Sequence, residues 1–300
     1  CVGEDFTITI TVNPEPQIND VAQTICNDET FTTVDPQDGT NGIVPVGTTY
    51  SWGVPVSNPA GAITGGVAGT DESSIVGTQL TNGTSSPADL VYTVTPSTAE
   101  GCVGEDFTIT ITVNPEPQID PISEVICSDI GSFDITPVDG TNGIVPVGTT
   151  YTWTVDDASN VITGEDAGTG SSISDSDLFN TTSSPADLVY TVTPSTAEGC
   201  VGEDFTITIT VNPEPQINDV AQTICNDETF TTVDPQDGTN GIVPVGTTYS
   251  WGVPVSNPAG AITGGVAGTD ESSIVGTQLT NGTSSPADLV YTVTPSTAEG

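Results

Sequence analysis

Residues 1–101 and 200–300 are the same sequence letter for letter, and residues 102–199 are a diverged copy shorter by three. A unit of about 100 residues must therefore fold, and fold again beside itself. Trp52, Trp153 and Trp251 lie 101 and then 98 residues apart. Trp52 to Tyr92 spans 40 residues and Trp153 to Tyr190 spans 37, which puts the length change between those landmarks. The punctuation of the repeat is Phe6–Pro16, which returns intact at Phe107–Pro117 and Phe205–Pro215. Its first half alternates, with Phe6, Ile8, Ile10 and Val12 on one face of a strand and Thr7, Thr9 and Thr11 on the other. Its second half, Asn-Pro-Glu-Pro, cannot extend a ladder, because two prolines remove two N–H donors. A strand followed by a stiff stop marks the end of a module. Residues 1–16 then read as the last strand and linker of a preceding module, 17–117 and 118–215 as complete modules, and 216–300 as a module lacking its last strand. The strand Phe6–Val12 is left without its own module. The first expectation is a segment of a continuous polymer; the other is a strand that fills the open edge of a neighbour's last module.

Composition removes whole classes of function. The chain has no Lys, Arg or His, and its 40 Asp and Glu give a formal charge of −40. Nothing basic is present to hold phosphate or an anionic membrane surface, so neither nucleic acid nor a membrane is an expected partner. Without histidine there is no Ser-His-Asp or Cys-His catalysis. Charged residues are only 13% of the chain, and aromatic and β-branched residues recur at fixed places, which argues for a folded protein rather than a solvated tail. No run of about 18 apolar residues occurs, so no membrane-spanning helix is expected. The chain begins in mid-repeat, without Met or a signal peptide, and reads as a mature segment of something longer.

Within the first complete module, Val21–Cys26 reads as a strand, 27–29 as a turn and 30–34 as a second strand. A Gly/Asx-rich loop covers 35–42. The third strand, 48–56, carries Tyr50 and Trp52. Ile63, Ile75 and Leu80 mark short strands, 90–95 is the penultimate strand, 97–106 a hairpin connection and 107–113 the closing strand. About seven short strands, turn signals between them and no helical periodicity predict an all-β fold: tandem immunoglobulin-like β-sandwich modules in a linear array.

Several segments together resemble a known module: Ile25-Cys26-Asn27, Gly39–Pro45, Gly47–Trp52, Tyr92–Pro96, Gly101–Gly104 and Thr112–Pro115. The set is similar to the PKD-like module of Bacteroidota surface proteins, over essentially the whole chain and three times. The resemblance implies a stalk in a large cell-surface adhesin or gliding-type filament, exported by the type IX route. It implies no catalytic residues. The partners it implies are neighbouring repeats of the same polymer, identical chains in a filament and surface glycans, at an extracellular, bacterial cell-surface location.

Cysteines come two per repeat, at Cys1 and Cys26, Cys102 and Cys127, and Cys200 and Cys225. Even counts at regular spacing in an exported protein point to disulfides. Pairing within a module would join Cys26 to Cys102 and Cys127 to Cys200. An immunoglobulin-like strand order, however, puts Cys26 at the bottom of its module and Cys102 at the top. The bottom of one module faces the top of the next, so Cys26 could instead meet Cys200 across the junction. Both pairings stay open at this level.

Other motifs carry weaker signals. Asp35, Asp38 and Asn41 form a D-x-x-D-G-x-N-G loop, repeated at Asp234, Asp237 and Asn240; the middle copy keeps Asp139 and Asn142 but has Thr136 and Pro137 in place of the first Asp. Oxygen ligands at such spacing suit Ca²⁺, the one cofactor the sequence suggests, but the same residues make Asx turns. Asn82-Gly83-Thr84, Asn180-Thr181-Thr182 and Asn281-Gly282-Thr283 are glycosylation sequons, read here as turn residues. Carboxylate pairs such as Glu4-Asp5 and Asp28-Glu29 read as solvated surface rather than as a glycosidase pair. The threonine face resembles ice-binding ladders, but one row per module is too few. The expected function is a structural segment of an acidic extracellular filament or adhesin stalk, not an enzyme. The rival is an array of carbohydrate-binding modules, which would need exposed aromatic platforms.

Overall fold

The computed structural model describes residues 1–128 and 131–298. Every regular element among them is a strand. Two compact units are present: Cys1–Ile119 with Pro137–Thr150 and Thr193–Glu203, and Asp120–Thr136 with Tyr151–Val192 and Asp204–Gly300.

In the first unit the long closing strand Phe107–Asn114 organises the main sheet. It pairs in parallel with Val21–Cys26 and antiparallel with Ala88–Ser97. Ala88–Ser97 in turn pairs with Thr49–Trp52 and Val56–Asn58, and Thr49–Trp52 with Gly69–Glu72. The predicted third strand is thus broken in two around Gly53-Val54-Pro55, where proline cannot donate to a ladder. The predicted strand over 30–34 is reduced to isolated bridges, Thr30 to Gln79 and Val34 to Ile75. These bridges and the short pair Ile63–Thr64 with Thr81–Asn82 form the opposing layer.

The core lies between the layers. Phe107, Ile109, Ile111 and Val113 are at most 1% exposed and pack with Phe31, Tyr50, Trp52, Leu90 and Tyr92. Burying those four side chains of the closing strand is worth on the order of 6–12 kcal/mol. The Trp52 indole N–H donates to Val67 O at 2.8 Å, and Gly69 lies so close to the ring that a Cβ there would sit 2.4 Å from it. The identical residues 6–13 form no strand, and Phe6, Ile8, Ile10 and Val12 are 76–86% exposed.

The second unit contains the same pairing pattern once more. Phe205–Asn212 runs parallel to Ile122–Cys127 and antiparallel to Ala186–Ser195. Its third repeat is built differently. Residues 220–225 repeat the sequence of Val21–Cys26 but make no strand. Thr248–Trp251 pairs with Gly268–Glu271 and Val293–Ser296, and Val255–Asn257 pairs with Asp288–Val290. The local core keeps Tyr249, Trp251 and Ile274 buried, while Phe230, Tyr291 and Val293 are only partly covered. The physical reason is non-local: the strand that would bridge 220–225 to 287–293 is not among these residues.

Candidate functional site

The part of the fold with the most specific chemistry is the passage from one repeat to the next inside the first unit. Its backbone is Asn114-Pro115-Glu116-Pro117. The hairpin of the middle repeat closes down on this linker at Gly202, where a Cβ would lie 2.0 Å from Pro117 O. Gly104 makes the same approach to Pro16 O, at 2.1 Å. No side chain fits at either position.

Past the linker, Gln118–Ile119 pairs with Gly143–Ile144 at the end of the Asx-rich loop. Gly143 has φ +112°, and a Cβ there would stand 2.1 Å from Gln118 O, so glycine is required on both counts. The loop itself is held by its own side chains. Asp139 Oδ1 accepts from Val145 N at 2.9 Å, and Asn142 Oδ1 accepts from Val138 N at 2.9 Å. The other Asp139 oxygen accepts from Ser85 Oγ of the preceding repeat at 2.7 Å. Ser183 and Asp237 repeat this bond at 2.7 Å within the second unit. Hydrogen bonds from backbone and serine hold the carboxyls of Asp139 and Asp237 below their ordinary range. The Ser–Asp bonds were not legible in the sequence. Their only trace is that a Ser-Ser-Pro-Ala-Asp segment recurs in every repeat.

The disulfide lies at the same passage. Cys26 and Cys200 are bonded, with Cα atoms 5.6 Å apart. Each end is fixed by local geometry. Cys26 is the last residue of its strand, opposite Asn114, and its N–H donates to Glu29 Oε2 at 2.9 Å. Cys200 is 1% exposed in a hairpin where Thr196 N donates to Cys200 O at 2.9 Å. The within-module pairing of Cys26 to Cys102 and Cys127 to Cys200 is therefore corrected. Cys26 stands beside Asn114, at one end of the closing strand, whereas Cys102 precedes Phe107, at the other. Seven strand residues at ~3.3 Å each separate those ends, far beyond disulfide reach. Cys1, Cys102 and Cys225 are thiols, and Cys127 ends its strand opposite Asn212.

Glu116 in the linker carries an electrostatic load. Burial pushes its carboxyl above the ordinary 4.5, and the charges of Asp28, Glu29 and Glu203 push it the same way. The folded state therefore binds this proton more tightly than the unfolded chain. Stability is lost as pH rises from the ordinary value through the raised one. Glu116→Gln is expected to raise the melting temperature at pH 7 and to leave it unchanged at pH 3, as read by thermal scans at both values. An equal shift at both pH values would remove the charge argument.

The remaining candidates act as ties. Asp38 Oδ1 accepts from Val44 N at 2.9 Å and Asn41 Oδ1 from Gln37 N at 2.8 Å. Asp237 accepts from Val243 N at 3.0 Å and Asn240 from Gln236 N at 2.8 Å. Asp35 and Asp234 each present a backbone carbonyl, to the Gln37 and Gln236 side chains at 3.2 Å. This is Asx-turn chemistry, and no three Cys, Asp or Glu converge as a metal cage among the described residues.

The sequon asparagines are not simple turn residues. Asn82 and Asn180 are buried, and their Nδ2 atoms donate to Val113 O and Val211 O at 2.8 Å. Those nitrogens are committed to the core. The three tryptophans are 7–8% exposed.

A family model for the PKD-like domain matches residues 23–117, 124–215 and 222–300. No curated protein matches. Solved structures similar to this chain include human CDH23 EC21-23, with a TM-score of 0.31 and 12% identity over 87% of this chain and 90% of that one. Chicken CNTN1 FN1-FN3 scores 0.29 with 12% identity over 96% and 92%, and Drosophila N-cadherin EC1-4 scores 0.30 with 8% identity over 92% and 73%. With three matches that together span most of its length, the chain belongs to the PKD-like domain family.

Proposed function

We propose that this chain is a structural segment of a long, acidic, extracellular filament or adhesin stalk at a bacterial cell surface, with no catalytic role. The observation that carries this reading is the Cys26–Cys200 bond, which ties one repeat to the next rather than closing a repeat on itself. A disulfide suits an oxidising compartment. The tight glycine–proline approaches and the Ser–Asp bonds support the same passage, as a rigid spacer requires. A chain without Lys or Arg also offers trypsin-like proteases no cleavage site.

The carbohydrate-binding alternative draws less support. The tryptophans are buried and their indole N–H groups point inward, to Val67 O, Asp166 O and Val266 O, so they offer no stacking platform. Immuno-electron microscopy of intact source cells with antibody raised to this chain tests the reading. Label along surface fibres is expected; label confined to the cell interior would defeat it. On a glycan array the recombinant chain is expected to give no saturable binding, and a micromolar glycan ligand would favour the alternative.

A further inference from the structure

The Asx-rich loop of the third repeat walls a cavity of about 300 Å³, at the small end of the range for ligand sites. Asp234 and Tyr249 line it together with Pro235, Pro244 and Val245. The cavity lies on the side of Thr248–Trp251 that pairs with Gly268–Glu271, next to Ser272, and takes no residue from Val293–Ser296 on the other side. Tyr249 is 2% exposed, yet its hydroxyl has no hydrogen-bond partner among the described residues. Burial raises that hydroxyl above its ordinary value, and the charge of Asp234 pushes it the same way, so the phenol stays protonated. The Asp234 carboxylate accepts no hydrogen bond among the described residues either; only its backbone carbonyl is used, by the Gln236 side chain. Asp237 differs, because Val243 N and Ser183 Oγ occupy both of its carboxylate oxygens.

The first repeat has the same residues at these places. Tyr50 is 2% exposed, and its hydroxyl too has no hydrogen-bond partner among the described residues. Burial and the charge of Asp35 push it up to about 12. Val46, like Val245, stands almost fully in solvent. The middle repeat departs in one respect: Thr136 replaces the carboxylate of Asp35. Tyr151 is as buried as Tyr50, but there burial alone raises the hydroxyl. Two repeats therefore set a free carboxylate beside the buried phenol, and one does not.

An unused carboxylate, an unused phenol oxygen and walls of proline and valine suit an ammonium group on an apolar stem. The charged head meets the oxygens while the methylenes lie along Pro244 and Val245. A divalent metal is poorly served, because no three Cys, Asp or Glu converge among the described residues. Lysine's three tetrahedral donors reach a carboxylate and a phenol oxygen on different walls, whereas arginine's flat fork suits a carboxylate alone. Neither this chain nor a second copy of it supplies the side chain, since the sequence has no Lys, Arg or His. We propose that the Asp35–Tyr50 and Asp234–Tyr249 sites each receive a lysine side chain of a basic partner protein, and that the middle repeat does not. The formal charge of −40 steers such a partner toward the chain from a distance. The exposed Val46 and Val245 extend the contact past the ammonium group.

The probe is Nα-acetyl-lysine methylamide, added at low salt to the full chain with isotope-labelled tyrosine rings. Ring signals assigned with Tyr50→Phe, Tyr151→Phe and Tyr249→Phe are expected to move saturably for Tyr50 and Tyr249 and to stay in place for Tyr151. The same probe acetylated on Nε has no charge and should move none of them. Asp35→Asn should weaken binding at Tyr50 by about tenfold or more and leave Tyr249 unchanged, as the loss of one charge-assisted hydrogen bond requires. Asp234→Asn should do the reverse. Salt at ~1 M should weaken both sites. Thr136→Asp supplies the missing carboxylate and should make Tyr151 respond, a gain that a damaged fold does not produce. Equal movement of all three tyrosines, binding of the neutral probe, full affinity in the Asp→Asn variants, or a silent Tyr151 in Thr136→Asp would each overturn the proposal.

Discussion

Digestion of the unreduced protein with a protease specific for Glu and Asp releases residues 21–28 linked to residues 199–203, and Cys26→Ser lowers the melting temperature of the first unit by about 10 °C or more. Residues 220–227 and 101–105 give the same two peptides, so the linked pair is assigned by its loss in Cys26→Ser and Cys200→Ser and its retention in Cys102→Ser. The size follows from the loop. The bond spans a sequence separation of 174 residues, and in the chain-entropy model such a closure is worth about 5 kcal/mol, near the top of the usual range. For a cooperative unit of 150–250 residues, each kcal/mol moves the transition by roughly 2–4 °C. Cys102→Ser is the control and should change the melt little, because that thiol has no covalent partner in a single chain. A linked pair that survives Cys200→Ser but is lost in Cys102→Ser, or a Cys26→Ser melt matching wild type, would refute the junction bond.

The second large effect is Trp52→Ala, expected to cost the first repeat about 3–5 kcal/mol in denaturant unfolding. Trp52 is 8% exposed, closes over Gly69 and donates its indole N–H to Val67 O. Truncation leaves both a cavity and an orphaned carbonyl. Trp52→Phe retains most of the packing and should recover more than half of the loss. A cost below about 1 kcal/mol for the alanine variant would show that the ring is peripheral to the core.

How far the sequence could be read is shown by two pairs of identical segments. Phe6–Asn13 and Phe107–Asn114 have the same eight residues, as do Val21–Cys26 and Val220–Cys225 over six, yet one member of each pair is a strand and the other is not. Alternation correctly identified the face each strand would bury. It could not say whether a partner would be there, because pairing is a long-range property. The all-β class, the repeat and the buried tryptophans were legible, since periodicity and spacing carry them. Cysteine pairing was legible only as two alternatives, within a module or across the junction from Cys26 to Cys200; the placement of Asn114 beside Cys26, with Cys102 before Phe107, decides for the second. Ser85 and Asp139 look like ordinary surface residues until the linker brings them within 2.7 Å. Asn82 resembles a glycan acceptor in sequence, but its amide is spent on Val113 O.

The bond between Cys26 and Cys200 also changes what happens when the chain is pulled. Fully extended, 174 residues would reach roughly 600 Å at about 3.5 Å each, yet the two Cα atoms are 5.6 Å apart and covalently joined. Tension entering at residue 26 leaves at residue 200 through two sulfur atoms, and everything between them bears no load. Force alone cannot pay out that slack, however many strands it breaks. Reduction can, so the reach of this stretch of chain is set by redox chemistry and not by how hard it is stretched.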